Sequence, residues 1–128
     1  MEIYEKEIEV TNDDIDDLGH VNNVRYLQWV QDIAGEHWQL RSDEAMRDRY
    51  IWMVISHNIH YKGQAFPGDI IQLKTFVTKA SGVTSLRKVE MYLKDSGKLL
   101  VTAETVWCLL DNHSRKPARM PQEIIDLF

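Results

Sequence analysis

Apolar and charged residues alternate at the start of the chain. Over residues 3–10, Ile8 and Val10 fall on one parity and Glu5, Glu7 and Glu9 on the other. A period of two with one charged side predicts a half-exposed strand. Asn and Asp dominate residues 11–19, which predicts a loop ending at Gly19. The period then lengthens. Between residues 22 and 40, Tyr26, Leu27, Val30, Ile33, Ala34 and Trp38 recur every three or four positions, with Arg25, Gln28, Asp32, Glu36 and Gln39 between them. That spacing predicts a long amphipathic helix with an apolar stripe wide enough to lie on a sheet. Gly35 interrupts it at a cost of about 1 kcal/mol relative to alanine, and suggests close approach of a strand or partner helix. Ser42 to Arg49 predicts a second, short helix with Ser42 as its cap.

Strand periodicity returns from Ile51. The expected strands are Ile51 to Tyr61, Ile70 to Lys79, Val83 to Leu93 and Leu99 to Leu110. Ala80-Ser81-Gly82 and Asp95-Ser96-Gly97-Lys98 are short glycine-bearing links, so the last three strands should form an antiparallel meander. Residues 112–119 are polar and basic, and Pro121 opens a final helical turn over Gln122 to Leu127. One sheet with one apolar face and one long helix to cover it predict an α+β domain.

Composition narrows the functional classes. A chain of 128 residues forms one domain with room for a core. A net charge of −5 gives no general attraction to nucleic acid. The single cysteine, Cys108, excludes an intrachain disulfide, and its default role is a buried, inert thiol. Residues 1–6 lack the basic and apolar regions of a secretory signal, and no apolar run approaches the ~18 residues that span a bilayer. The expectation is a cytoplasmic protein with no membrane partner. His57 and His60 point to opposite faces of a strand, no zinc spacing occurs, and no serine-hydrolase elbow, dinucleotide fingerprint or phosphate loop is present. No metal or cofactor is implied.

The densest chemistry lies between Asp13 and Asn23. Four carboxylates (Asp13, Asp14, Asp16, Asp17) precede Gly19, His20 and two asparagines at the predicted helix start. Asparagine is a preferred N-cap. The free N–H groups of a helix start suit a polarised oxygen. A carboxylate just upstream can activate a nucleophile against a carbonyl held there. The plainer alternative is a solvated acidic loop before an ordinary capped helix.

The order Asp14-Ile15-Asp16-Asp17-Leu18-Gly19-His20-Val21-Asn22-Asn23-Val24-Arg25-Tyr26 resembles the signature of hot-dog-fold thioesterases, in particular the bacterial hydroxybenzoyl-CoA and acyl-CoA branch. The portion from His20 to Tyr26 is also similar to plant acyl-ACP thioesterases. Only residues 14–26 match as a motif, with Pro67-Gly68-Asp69 as weaker support. The resemblance implies a hot-dog fold, a five-stranded antiparallel sheet wrapped around one long central helix. It also implies thioester hydrolysis.

In those bacterial relatives an essential aspartate stands three residues before the motif glycine, which is Asp16 here. Such a carboxylate acts as general base on water or attacks the carbonyl itself. The amide four residues after the glycine polarises the carbonyl, which implicates the Asn23 backbone N–H. His20 matches the histidine of the plant enzymes, but Leu18 replaces their asparagine and Gln64 sits near where their acidic residue would fall. A structural His20 and a catalytic one therefore both stay open. Arg115, Lys116 and Arg119 form the one basic cluster, a candidate contact for coenzyme A phosphates or plain surface.

The function expected is a cofactor-free acyl-CoA thioester hydrolase. Its alternatives are an acyl-ACP thioesterase and a non-hydrolytic acyl-thioester-binding protein. A hot-dog dehydratase would use a histidine and carboxylate on the helix, where His37 and Glu36 lie without that family's surrounding pattern. Unpaired sheet edges predict self-association to a dimer or tetramer. The Asp16 loop would then face the Tyr61–Asp69 connection of the other chain.

Overall fold

The computed structural model describes all of residues 1–128. The chain forms β1 (Tyr4–Glu9), a 3₁₀ turn (Asn12–Asp14), α1 (Asn23–Arg41), α2 (Glu44–Arg49), β2 (Tyr50–Tyr61), β3 (Ile70–Ser81), β4 (Thr84–Leu93), β5 (Leu99–Asp111) and α3 (Gln122–Ile125). All five strands join one sheet in the order β1-β3-β4-β5-β2, and every neighbouring pair is antiparallel. The meander β3-β4-β5 is the expected one. The long helix α1 packs on one face of this sheet, giving the α+β hot-dog architecture that the motif implied.

Two caps differ from expectation. Asp43, not Ser42, caps α2, its side chain accepting from the Met46 N–H at 2.8 Å. Ser42 closes α1 instead, its N–H bonded to the Trp38 carbonyl at 2.9 Å, because α1 runs one turn-closing residue further than the apolar pattern requires. Pro121 precedes α3 as its N-cap rather than opening it.

The buried side of α1 carries Tyr26, Trp29, Val30, Ile33, Ala34 and His37, a regular i, i+3, i+4 series. Trp29 and His37 belong to it, whereas Leu27 and Trp38 are only half-buried. The stripe meets Ile71 and Leu73 of β3, Val89 and Met91 of β4, and Val101 and Ala103 of β5 in one core cluster. Each fully buried aliphatic side chain there contributes about 1.5–3 kcal/mol. No strand or helix of the same chain approaches Gly35: a Cβ placed on it would meet nothing within 4 Å. No helix is long and apolar enough to cross a membrane.

Beyond the apolar core the helix–sheet interface turns polar. His37, Arg87, Thr75 and Thr105 are all buried. His37 Nε2 lies 2.6 Å from Glu2 Oε1, and Arg87 Nη1 lies 2.9 Å from His37 Nδ1. Since a guanidinium can only donate, Nδ1 accepts, and the proton sits on Nε2, donating to Glu2. Burial first, then the Arg87 charge, hold the His37 pKa below its ordinary value against the pull of Glu2. Hydrogen bonds from Arg41 and His37 hold the Glu2 carboxyl low as well.

Both shifts act in one direction. The unfolded chain takes up protons on these groups at higher pH than the folded one, so their stabilisation is complete above about pH 6.5 and falls on acidification. Melting temperature should therefore drop between pH 7.5 and 5.5. His37→Gln should flatten that slope, as thermal melts across the range would reveal.

Candidate active site

The site is assembled by the loop between β1 and α1. Gly19 adopts φ +85, a left-handed turn conformation that glycine takes without strain. The turn closes through Gly19 N–H to the Asp16 carbonyl at 3.1 Å and Asp16 N–H to the His20 carbonyl at 3.0 Å. Asn22 caps α1, its side-chain oxygen accepting from the Val24 N–H at 2.9 Å. Asn23 is the first residue of α1, and its N–H makes no hydrogen bond within the protein. It keeps the partial positive charge of a helix start.

The acidic residues of this loop divide by environment. Asp14 is 4% exposed and holds the loop together. One carboxylate oxygen accepts from the Thr11 N–H at 2.9 Å and the Thr11 hydroxyl at 3.3 Å, while the other accepts from Arg25 Nε at 2.7 Å. Its carbonyl takes the Asn22 N–H at 2.9 Å, so Asp14 links the 3₁₀ turn to the helix cap. Asp16 is half-buried and lightly held. Its Oδ1 accepts from the Leu18 N–H at 2.9 Å, and its Oδ2 lies 3.8 Å from His20 Nδ1. His20 Nδ1 is also 3.2 Å from the Val21 carbonyl. Asp13 and Asp17 are exposed.

A cavity of about 550 Å³ opens at the start of α1. His20, Asn23 and Tyr26 form one side; Tyr61, Gln64 and Phe66 stand on the other, with Lys62 and Lys98 also in the lining. The Val21 N–H donates to the Ala65 carbonyl at 3.0 Å, fastening the motif loop to the β2–β3 connection. The chain's own β2–β3 connection therefore packs on the motif loop. Gly63 permits this course, because a Cβ there would lie 3.1 Å from Leu100 Cδ2 and 3.3 Å from Lys98 Cε. Tyr61 donates to the Asn23 carbonyl at 3.3 Å. The Tyr26 hydroxyl is buried, and burial pushes its pKa up to about 12.

The structure brings His20 and Asn23 to the cavity wall and sets Asp16 directly behind His20. Gln64 reaches the same cavity. Arg115, Lys116 and Arg119 do not line it. Their exposed turn after β5 lies by α2 and the start of β2, fixed by Asn112 N–H to the Arg49 carbonyl at 2.8 Å. Lys62 and Lys98 are the cations at the cavity, and no sequence pattern singled them out. His37 and Glu36 are engaged elsewhere, His37 with Glu2 and Arg87, Glu36 with Lys6 at 2.8 Å. No three His, Cys, Asp or Glu side chains converge as a metal site requires.

Known proteins resemble this chain in fold or in sequence. Among solved structures, a 1,4-dihydroxy-2-naphthoyl-CoA thioesterase from Synechocystis superposes with a TM-score of 0.85 at 21% identity, covering 98% of this chain and 95% of its own. The protein SAV2348 of Staphylococcus aureus, solved in complex with CoA, gives 0.88 at 15% identity, covering 98% and 81%. In sequence, a chloroplastic acyl-[acyl-carrier-protein] hydrolase of Cuphea viscosissima is 27% identical over 86 residues, or 66% of this chain. The match spans only 20% of that longer protein. The model of the Thioesterase-like superfamily matches residues 10–128, from the end of β1 through the motif loop and every later element, and the chain belongs to that family.

Proposed function

We propose that the protein hydrolyses acyl-CoA thioesters to a carboxylic acid and free coenzyme A. The observation that carries this reading is the unpaired Asn23 N–H at the helix start, open to a cavity whose wall also holds His20, with Asp16 behind it. The thioester carbonyl oxygen accepts from that N–H, which stabilises the negative charge as the tetrahedral intermediate forms. Asp16 either takes a proton from the attacking water or attacks the carbonyl carbon itself to give a mixed anhydride that water then opens. The C–S bond breaks in either case, and the departing sulfur leaves as the coenzyme A thiol. Family membership and the CoA complex of one structural relative support the choice of substrate.

An acyl-ACP substrate is the second reading, favoured by the likeness to a plant carrier-protein hydrolase and by Lys62 and Lys98 at the cavity, which would attract an acidic carrier. A screen of acyl-CoAs of graded chain length, aryl-CoAs and acyl-ACPs, following free thiol, separates the readings. Release from acyl-CoAs alone supports the first and release from acyl-ACPs alone the second. No release from any thioester leaves only a binding protein.

The working unit is proposed to be a dimer or tetramer joined through β2. This edge strand is 12 residues long and carries exposed Met53 and Ile55, whereas the other edge, β1, is short and lined by glutamates. Antiparallel pairing of two β2 strands would carry the basic turn of one chain toward the Tyr61 end of the other. Arg115, Lys116 and Arg119 would there join Lys62 and Lys98 around the coenzyme A phosphates. Light scattering should give at least twice the chain mass, and a fully active monomer would refute the assembly. The apparent KM should rise with ionic strength, and changing the three residues to glutamine should raise KM far more than it lowers kcat. A flat KM in both tests would make the cluster plain surface.

A further inference from the structure

A second cavity, of about 360 Å³, lies under the C-terminal half of α1, more than two helical turns from the Asn23 end. Its floor is Arg87 on β4, and its walls include Trp38, Trp52 and Trp107. Arg87 is 5% exposed. Its Nη1 donates to His37 Nδ1 at 2.9 Å and to the Thr75 hydroxyl at 3.1 Å, while Nε and Nη2 make no hydrogen bond. The guanidinium forms no ion pair within 4.0 Å, and its hydrogen-bond link to Glu2 runs through His37. The one group it touches directly that titrates near neutrality, His37, is held neutral and accepts from it. The Phe128 ring lies 4.9 Å below the charge. Trp107 adds a buried indole N–H that also lacks a partner.

A buried cation without a counter-charge is costly, and one facing a cavity with free donors is arranged to receive an anion. The planar fork of arginine matches a carboxylate. Trp38 and Trp52, edge to face at 5.7 Å, offer ring surface to an apolar body. The volume is that of a small-molecule site. We propose that this cavity binds a free carboxylic acid with an aromatic or branched apolar body, the carboxylate on Arg87 and the body among the tryptophans. This is a site separate from the thioester cavity, and its occupancy does not depend on hydrolysis.

Calorimetry and tryptophan fluorescence with phenylacetate and its uncharged counterpart 2-phenylethanol test the assignment on the full chain. Phenylacetate should bind saturably, at least tenfold tighter than 2-phenylethanol, and saturating coenzyme A should not displace it. Arg87→Gln should abolish the tenfold margin. Trp107→Phe keeps the charge and most of the ring but removes the N–H, so it should weaken phenylacetate severalfold even if Arg87→Gln fails to fold. Equal binding of acid and alcohol, displacement by coenzyme A, or unchanged affinity in the folded variants overturns the proposal. None of these readouts uses thioester turnover, so loss of this site and loss of the hydrolase reading are distinguishable.

Discussion

Asp16→Asn should lower kcat for thioester hydrolysis by roughly 10²–10⁴, the range spanned by general acid–base groups. The substitution keeps the oxygen that accepts the Leu18 N–H and removes only charge and basicity. Because Asp16 is half-buried and in no core cluster, melting temperature should hardly change. Single-turnover thiol release measures the effect without interference from product release. The placement of His20 gives this experiment a companion. His20 lines the cavity and Asp16 Oδ2 stands 3.8 Å from its Nδ1, so a histidine base oriented by Asp16 would use the same two groups in the reverse order. If His20→Ala is inactive while Asp16→Asn keeps near wild-type kcat, the assignment of base or nucleophile to Asp16 is wrong even though the thioesterase reading survives.

The identical change two residues earlier should damage a different property. Asp14→Asn is expected to cost about 2–3 kcal/mol of stability, since hydrogen bonds to a buried charge are worth ~1.5–3 kcal/mol each and an amide cannot replace both oxygens. One Asp14 oxygen faces Thr11 donors and the other faces Arg25, so either orientation of the asparagine sets its NH₂ against another donor. The Arg25 side chain is 46% exposed and can return to water, which keeps the loss below that of a fully buried ion pair. For a domain of this size that is a fall of roughly 6–12 °C in Tm. Turnover per folded molecule should be affected far less than by Asp16→Asn. A stable Asp14→Asn protein with collapsed kcat would move the chemistry to Asp14.

The pair also marks what a sequence can tell. Asp14 and Asp16 are the same residue type in the same loop, and only their surroundings separate them. Asp14 faces inward to Thr11 and Arg25, while Asp16 is half-buried behind His20. Arg25 looked like an ordinary polar-face helix residue, because a contact across eleven positions leaves no periodic trace. Local order was legible for a physical reason. Strand and helix periods, N-cap preference and the turn demand of Gly19 are all properties of near neighbours. They placed the five strands and α1 within a residue or two. The motif from Asp14 to Tyr26 was legible because loop, turn and helix start are contiguous, so Asp16, His20 and Asn23 share one short span.

Tertiary structure decided the rest. No periodicity says that β2 adds beside β5 and β1 beside β3, since the strand order reflects how the chain crosses the sheet. That crossing lays the β2–β3 connection on the motif loop and brings Tyr61, Lys62 and Gln64 to the first cavity from about forty residues away. It also sets Arg87 beneath α1 beside His37, fifty positions distant. In the sequence, Arg87 and Lys88 read as adjacent cations on a β-strand. In the fold, alternation sends Lys88 out to Glu104 at 3.2 Å and turns Arg87 inward, where the helix shuts out water and no acid meets it. The chain by itself determined its elements and the place of its reactive loop. Which charges became buried, and which cavities they face, followed from long-range packing that no local pattern encodes.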